Sequence, residues 1–166
     1  MNRRLHRWGA VLIALPLLII IGSGILLQLK KEWAWVQPAT LNGAQPGVAL
    51  TWEQILAAAR AVPEAGVRGW DEIARLDVQH QRGMIKVQCV NRWELQLDAV
   101  TGALLSSAYR RSDLIESIHD GSFFHERAKL WVWLPAGVIL LGMWGTGVYL
   151  WLLPHLVRRR KRRAAA

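Results

Sequence analysis

Two long runs without an ionisable side chain constrain this chain more than any other feature. The first, Gly9–Leu29, contains 21 residues, and the second, Leu130–Leu153, contains 24. A helix needs about 20 apolar residues to cross the hydrocarbon layer of a membrane. Both runs are therefore predicted to be transmembrane helices. We interpret the first as an uncleaved signal anchor rather than a cleaved signal peptide, because the core of a signal peptide measures only about 7 to 15 residues.

The formal net charge of +9 is concentrated at the two ends of the chain. Three Arg in residues 1–8 and six Arg or Lys in residues 158–163 account for the whole excess, and the other basic and acidic residues cancel. A nucleic-acid-binding protein would spread its basic side chains over a folded face, so no nucleic-acid partner is predicted. The single cysteine excludes an internal disulfide and a cysteine-rich zinc module.

The charge distribution also predicts an orientation in the membrane. Short flanks rich in Arg and Lys remain in the cytoplasm, whereas connecting segments longer than about 60 residues are translocated with little regard to their charge. The segment between the two runs, residues 30–129, is 100 residues long. We therefore expect a protein of the bacterial inner membrane, with both termini in the cytoplasm, its central segment in the periplasm and lipids around its helices. Tryptophans near the ends of both runs fit an aromatic belt.

Pattern changes along the chain predict seven segments. Thr51 and Gln54 have the spacing of a capping box, which predicts a helix that begins a small domain and stops at Pro63. The predicted segments are a cytoplasmic N-terminus (1–8), transmembrane helix 1 (9–29), a linker (30–50), the domain (51–110), an interfacial helix with a return segment (111–128), transmembrane helix 2 (129–153) and a cytoplasmic tail (154–166).

After the first helix of the domain, apolar and polar residues alternate, which is typical of half-buried strands. Short breaks between the strands predict antiparallel hairpins, and a fourth strand is expected at about residues 103–109. The predicted fold class is an α+β membrane protein in which two transmembrane helices flank one helix packed on an antiparallel sheet of three or four strands. The residues expected on the buried face are Ala74, Leu76, Val78, Ile85, Val87, Cys89, Trp93, Leu95 and Leu97.

The return segment and the polar side of the sheet carry two further patterns. Asp113 and Glu116 have capping-box spacing, which predicts a helix on the membrane surface that is continued by Phe123 and Phe124. The polar residues that alternate with the buried ones are expected to leave the other face of the sheet exposed. That face and the edges of the sheet remain alternative contact surfaces.

Several motifs together resemble a known family. Asp98-Ala-Val-Thr101-Gly102, followed by a short apolar strand, is similar to the turn of a PepSY domain. Leu5-His6-Arg7-Trp8 before the first run resembles the same flank of PepSY-associated transmembrane proteins. So does Ile118-His119-Asp120-Gly121-Ser-Phe-Phe before the second run, although His125 stands where that family suggests a glycine. The resemblance covers nearly the whole chain and implies a minimal member with two spans and one PepSY domain.

The resemblance implies two alternative functions. PepSY domains resemble the inhibitory propeptide modules of secreted metallopeptidases, which implies a regulatory, inhibitory or scaffolding role through protein contact outside the cytoplasm. Some larger relatives resemble haem-carrying siderophore-iron reductases, which implies a b-type haem subunit for transmembrane electron transfer. We favour protein contact and no enzymatic activity. A haem-dependent oxidoreductase of the ferric reductase type, linked to iron uptake, is the alternative.

The histidines test the haem alternative, because membrane haem normally takes neutral imidazole ligands. His6 and His155 fall at the predicted cytoplasmic ends of the two spans, whereas His119 and His125 fall near the outer surface. These four are the candidate haem ligands, and His6 and His119 are favoured by the resemblance. His80 lies in a hairpin and is expected to be solvated. No catalytic residue and no metal site are predicted, and haem b is the one cofactor considered.

Small residues in the spans predict assembly. Gly22 and Gly24 in the first run echo Gly145 and Gly147 in the second. Small residues allow helix backbones to approach closely in membranes. Because the helices run in opposite directions, the two motifs lie at opposite depths, so each is expected to contact another helix. A homodimer, or a partner in the membrane or periplasm, is therefore predicted.

Overall fold

The structure is a computed structural model that describes residues 2–164, apart from the side chains of residues 2, 3, 5, 6, 156 and 158–164. The chain divides into two compact units. One contains both ends of the chain, Met1–Gly24 and Ser117–Ala166, and the other contains Ile25–Glu116.

The unit with the chain ends is built on two long helices, α1 (Asn2–Gln28) and α4 (Leu134–Ala164). One turn of π-helix, Lys129–Trp133, leads into α4. By length and composition, residues 7–28 and 129–155 are able to cross a membrane. Both predicted spans are therefore confirmed as long apolar helices.

The two long helices approach each other near the start of α1. The position that a Cβ atom would occupy on Gly9 lies 3.7 Å from side-chain atoms of both Ile139 and Met143. Residue 9 of α1 therefore lies beside residues 139–143 of α4.

The other unit has one helix on one face of a four-stranded antiparallel sheet, as the sequence predicts. The strands follow in the order β1-β2-β3-β4, and each is paired with the next along the chain. The elements are α2 (Trp52–Arg60), β1 (Ile73–Gln79), β2 (Met84–Cys89), β3 (Trp93–Asp98), β4 (Leu104–Tyr109) and α3 (Arg111–His119). The last three residues of α3, 117–119, belong to the unit that contains the chain ends.

The first helix of this unit begins where the capping box predicts. Thr51 Oγ1 accepts the N–H of Gln54, and Gln54 Oε1 accepts the N–H of Thr51 at 2.8 Å. The apolar side of α2 then packs on β2 and β3. The buried side chains of this core are Ile55, Ala59, Val62, Ala65, Val67, Ile85, Val87, Cys89, Leu95, Leu97 and Ala99.

The predicted alternation in β1 is wrong at two positions. The pairing of β1 with β2 shifts between Ile73 and Arg75, so Ile73 rather than Ala74 packs against the core. Val78 is 46% exposed although it pairs with the buried Ile85. The nine-residue α2 packs on the middle of the sheet, so the edge strand is covered only in part.

The prediction of an exposed polar face is also wrong. Lys86, Glu94, Gln96 and Asp98 alternate with the core residues, yet all four are buried. Residues 36–46, from the segment predicted as a linker, lie over this face and hydrogen-bond to it. We call residues 36–46 the strap. Alternation of apolar and polar residues predicts that a strand has one apolar and one polar face. It does not predict which residues cover the polar face.

The capping box predicted at Asp113 is not formed. The helix begins two residues earlier, at Arg111, so Asp113 lies in its first turn. Its carboxylate accepts from Arg110 and from the hydroxyl of Ser112 instead. Ser112 N–H donates to the carbonyl of Val36 at the start of the strap.

Candidate functional site

The Asp98 turn is built from hydrogen bonds to one carboxylate. Asp98 Oδ1 accepts the N–H groups of Val100 at 2.9 Å and Thr101 at 2.7 Å. The next residue, Gly102, has a φ of +76°, which glycine adopts without steric cost. Thr101 Oγ1 accepts the N–H of Ala103 at 3.3 Å. The motif therefore has a structural role that reverses the chain between β3 and β4.

The same carboxylate also holds the strap. Asp98 Oδ2 accepts the N–H of Ala44 at 2.7 Å. Hydrogen bonds from Ala44, Thr101 and Val100 hold the pKa of Asp98 well below its usual range, because they stabilise the charged form. One residue thus joins the turn to a segment more than fifty positions earlier in the chain.

Gln96 attaches the strap at a second point. Its Oε1 accepts the N–H of Leu41 at 2.8 Å, and its Nε2 donates to the carbonyl of Ala39 at 2.8 Å. A buried side-chain amide whose oxygen and nitrogen both hydrogen-bond to one backbone segment fixes the position of that segment. Nothing in the sequence pattern indicated this role except the alternation that placed Gln96 opposite the core residues.

Two glycines let the strap approach the sheet. A Cβ atom on Gly43 would collide with the carbonyl of Gly83, and one on Gly83 would collide with the carbonyl of Gln45. Gly43 N–H also donates to the carbonyl of Arg82 at 2.8 Å. The strap therefore contacts the β1–β2 turn backbone to backbone.

A buried group of charges lies beneath the strap. Glu94 Oε2 is 2.6 Å from Arg110 Nη1, and Glu94 Oε1 is 3.5 Å from Lys86 Nζ. Lys86 Nζ also donates to Thr40 Oγ1 at 2.7 Å. A buried charge requires such partners because its transfer from water is costly. Both faces of the sheet are thus closed by the chain's own residues, α2 on one side and the strap on the other.

A groove remains open beside the edge strand β4. It has a volume of about 360 Å³ and a largely apolar lining. Ser107 Oγ, which lies in it, is buried and has no hydrogen-bond partner among the described residues. Such unsatisfied groups are rare in folded proteins and need an explanation. The lining residues are Ala61, Val62, Pro63, Glu64, Trp93, Leu104 and Ser107.

His119 is held by Ser23. Its Nδ1 lies 3.0 Å from Ser23 Oγ, and the Ser23 hydroxyl has the carbonyl of Ile19 as its acceptor at 2.5 Å. A hydroxyl has only one proton to donate, so we assign the His119 proton to Nδ1, which donates to Ser23. His119 Nε2 then carries the lone pair that a metal ligand needs.

The absence of a side chain at Gly24 leaves space for the His119 ring beside Ser23. A Cβ atom on Gly24 would lie 3.3 Å from His119 Cε1, which is tighter than ordinary contact. Gly24, in the glycine motif of α1, therefore contacts His119, a role that the sequence pattern does not indicate. Gly22, Gly145 and Gly147 have no described atom within 4 Å of such a Cβ position, so the helix-packing prediction for them stays a prediction.

His125 and His155, the other two predicted histidines whose side chains are described, have their printed hydrogen bonds elsewhere than at His119. His125 is exposed, and its Nδ1 accepts the N–H of Arg127 at 3.0 Å, which assigns the proton to Nε2. His155 Nδ1 lies 3.2 Å from the carbonyl of Trp151, so its Nδ1 carries the proton. His6 lies outside the described side chains. The exposed His80 lies at the β1–β2 turn, as predicted.

The pairing of His6 with His155 stays a prediction, because the side chain of His6 lies outside the described residues. Among the described residues, no group of three or more His, Cys, Asp or Glu is arranged to hold a metal ion.

The segment after His119 is a structured turn. Asp120 accepts the N–H of Ser122 at 2.9 Å and forms an ion pair with Lys129 at 2.8 Å. Burial alone would raise the pKa of Asp120, but hydrogen bonds from Lys129 and Ser122 lower the pKa to about 2. Gly121 has a φ of +83°, and a Cβ atom there would lie 2.7 Å from Trp133 Cδ2. Phe124 packs beside Trp133, with 5.4 Å between ring centroids.

Comparison with known proteins agrees with this arrangement. Residues 3–165 match the family described as the PepSY-associated TM region. No curated protein and no solved structure matches the chain significantly. The match spans both apolar helices and the α+β unit between them, which together indicate a membrane protein. The chain therefore belongs to the PepSY-associated TM family.

Proposed function

We propose that this protein displays its PepSY domain outside the cytoplasm of a bacterial inner membrane and acts there by binding another protein. The observation that supports this most is the closure of both sheet faces by α2 and the strap. A scaffold packed in this way holds its uncovered surfaces in fixed positions. Those surfaces include the strand edges and the apolar groove beside β4.

The proposed orientation places residues 1–8 and 154–166 in the cytoplasm and the domain in the periplasm. Its support is the basic charge at both chain ends and the length of the segment between the spans. Labelling of single cysteines introduced at Arg68 and at Ala165, in a Cys89→Ala background, tests it in intact cells. A membrane-impermeant maleimide should label position 68 alone.

Site-specific photo-crosslinking tests the binding function. A photoreactive amino acid is placed at exposed positions of the domain, such as Ala57, Arg75 and Leu104, in the full chain in its native membrane. We expect at least one position to give a discrete adduct with a second protein. The matched control is the same residue at Trp144, in the apolar helix. If no domain position gives an adduct above that control, the binding function is wrong.

A second candidate function is supported by one observation, the assignment of the His119 proton to Nδ1. This residue fits a haem b iron as a ligand through Nε2, and bound haem would supply one-electron transfer. His125 does not fit, because its Nδ1 accepts a hydrogen bond. Among the described side chains, His119 and His155 both carry the proton on Nδ1 and leave Nε2 free to act as a ligand.

A visible spectrum separates the two candidates. Protein from cells supplied with haem is purified in detergent and measured in oxidised and reduced form. The electron-transfer candidate requires a Soret band that is lost in His119→Ala and kept in His80→Ala. A featureless spectrum from folded protein contradicts that candidate and leaves the binding function standing.

A further inference from the structure

The two edges of the sheet differ in charge. The β1 edge carries Arg75 and Asp77, and proteins often use charged side chains to protect a strand edge from pairing with other chains. The β4 edge, Leu104–Tyr109, carries no charged residue. Its pairing with β3 shifts only at its beginning, between Gln96 and Leu97 on the partner strand. The rest of β4 is a regular and uncharged strand edge.

The hydrogen-bond alternation of the sheet shows which backbone groups of β4 point outward. Arg110 N–H donates to the carbonyl of Arg92, and Asp98 N–H donates to the carbonyl of Ala103. In an antiparallel ladder, residues bonded to the neighbouring strand alternate with residues whose groups point away from it. Ser106 and Ala108 therefore pair with β3, and the N–H and C=O groups of Ser107 and Tyr109 point away from the sheet.

The outward groups lie beside the groove. Ser107, whose backbone points away from β3, is also the residue whose buried hydroxyl has no described partner. Leu104, in the same groove, is 48% exposed, and Trp93 and Val62 line the opposite side. Backbone groups without a partner in the described part of the chain, next to an apolar groove, match an extended peptide, which supplies backbone partners and a side chain for the groove.

We propose that the β4 edge binds an extended, uncharged segment of another protein, which adds as a fifth strand and places an apolar side chain in the Val62–Trp93–Leu104 groove. This inference rests on the proposed binding function and names the chemistry of the partner. The absence of charge along β4 favours a neutral segment over an acidic or basic one. The backbone of the segment would pair with Ser107 and Tyr109.

Binding of a peptide pool to the full chain in nanodiscs tests the proposal. The probe is a fluorescent pool of eight-residue peptides in which Val, Leu or Tyr alternates with Ser or Thr. We expect binding that protects β4 from hydrogen exchange. A pool with N-methylated alternate amides should not bind, because it lacks the strand hydrogen bonds. Failure of every member of the unmethylated pool to bind overturns the proposal.

Two matched proline variants separate the edges. In Ser107→Pro the lost N–H points away from the sheet, so the strand is retained while the new pairing is blocked. Val78→Pro makes the same change on β1, where the alternation also points residue 78 outward. We expect Ser107→Pro to weaken binding by about tenfold or more and Val78→Pro to leave it unchanged. Equal effects, or no effect of Ser107→Pro, overturn the proposal.

Further controls distinguish a loss of peptide binding from a loss of folding. They also distinguish a failure of this inference from a failure of the proposed binding function. Leu104→Lys places a charge in the groove without changing the backbone and should also weaken binding. In a Cys89→Ala background, a Ser107→Cys disulfide adduct with twice the mass of the chain would show a second copy at this edge and overturn the proposed occupant. Photo-adducts at Ala57 or Arg75 but none at β4 would overturn this inference while the binding function stands.

Discussion

The carboxylate of Asp98 accepts the backbone N–H of Ala44 at 2.7 Å, and this bond joins the β3–β4 turn to the strap. The same side chain accepts two further N–H groups inside its own turn. The residue that marks the family's turn therefore also closes one face of the sheet. Loss of this carboxylate would affect two distant segments at once.

Acid should weaken the folded domain through Asp98. Its pKa is lower in the folded protein than the value of about 3.9 for an unfolded chain, because three N–H groups stabilise the carboxylate. The stabilisation is complete above that unfolded value and is lost as pH falls through the folded pKa. We expect thermal unfolding in detergent, followed by circular dichroism, to show a midpoint that falls below about pH 4. Asp98→Asn should flatten this dependence, and Asp71→Asn should not.

Removal of the buried carboxylate of Glu94 should destabilise the domain strongly. Glu94→Gln would leave the buried Lys86 without its acidic partner and the half-buried Arg110 with Asp113 alone. Breaking a buried ion pair typically costs about 3–5 kcal/mol. Urea unfolding of wild type and variant measures the loss, and Glu64→Gln, at an exposed position, is the control. A loss no larger than that of the control would contradict the buried network.

The single cysteine should be inert in the folded protein. Burial raises the pKa of the Cys89 thiol, and its side chain lies in the core beneath α2. The thiolate is the reactive form, so both effects slow alkylation. We expect iodoacetamide to modify Cys89 only after denaturation, as measured by intact mass. Modification of the folded protein at the rate of a free thiol would place Cys89 outside the core.

Substitution of Gly121 should loosen the turn before the second span. Gly121→Ala forces a side chain into a positive-φ position and against Trp133. The backbone conformation alone costs about 1–2 kcal/mol for a residue other than glycine. We expect trypsin to cleave after the exposed Arg127 about fivefold faster or more. Gly137→Ala, where a Cβ atom meets open space, should leave the rate unchanged.

The open glycine face of α4 should carry helix association. Gly147 lies in a shallow groove with Trp144 and Trp151, and its Cβ position has no described neighbour within 4 Å. Gly147→Leu should therefore reduce the crosslinked dimer in membranes, because it prevents close approach of a second helix. Gly137→Leu is the comparison on the same helix. An unchanged dimer fraction would remove this face from the interface.

Local pattern was sufficient for most of the architecture. The length of two uninterrupted apolar runs determined the two long helices, because length and hydropathy are properties of contiguous sequence. Alternation determined three strands, the Asp98 turn indicated the fourth, and the Thr51 capping box determined the start of α2, because all three depend on neighbouring residues alone. The Asp98 turn and both histidine-bearing flanks were sufficient to predict the family, which the match over residues 3–165 confirmed.

Contacts between distant residues decided the rest. Alternation placed Glu94, Gln96 and Asp98 on the polar face, but only the folded chain brought the strap over it, because that cover comes from residues far away in sequence. The same reason applies to the histidines. Their sequence positions suggested two pairs, and only the folded chain showed that His119 Nδ1 contacts Ser23 Oγ. Sequence determined which residues form each element, and tertiary packing decided which surfaces the chain covers with its own residues.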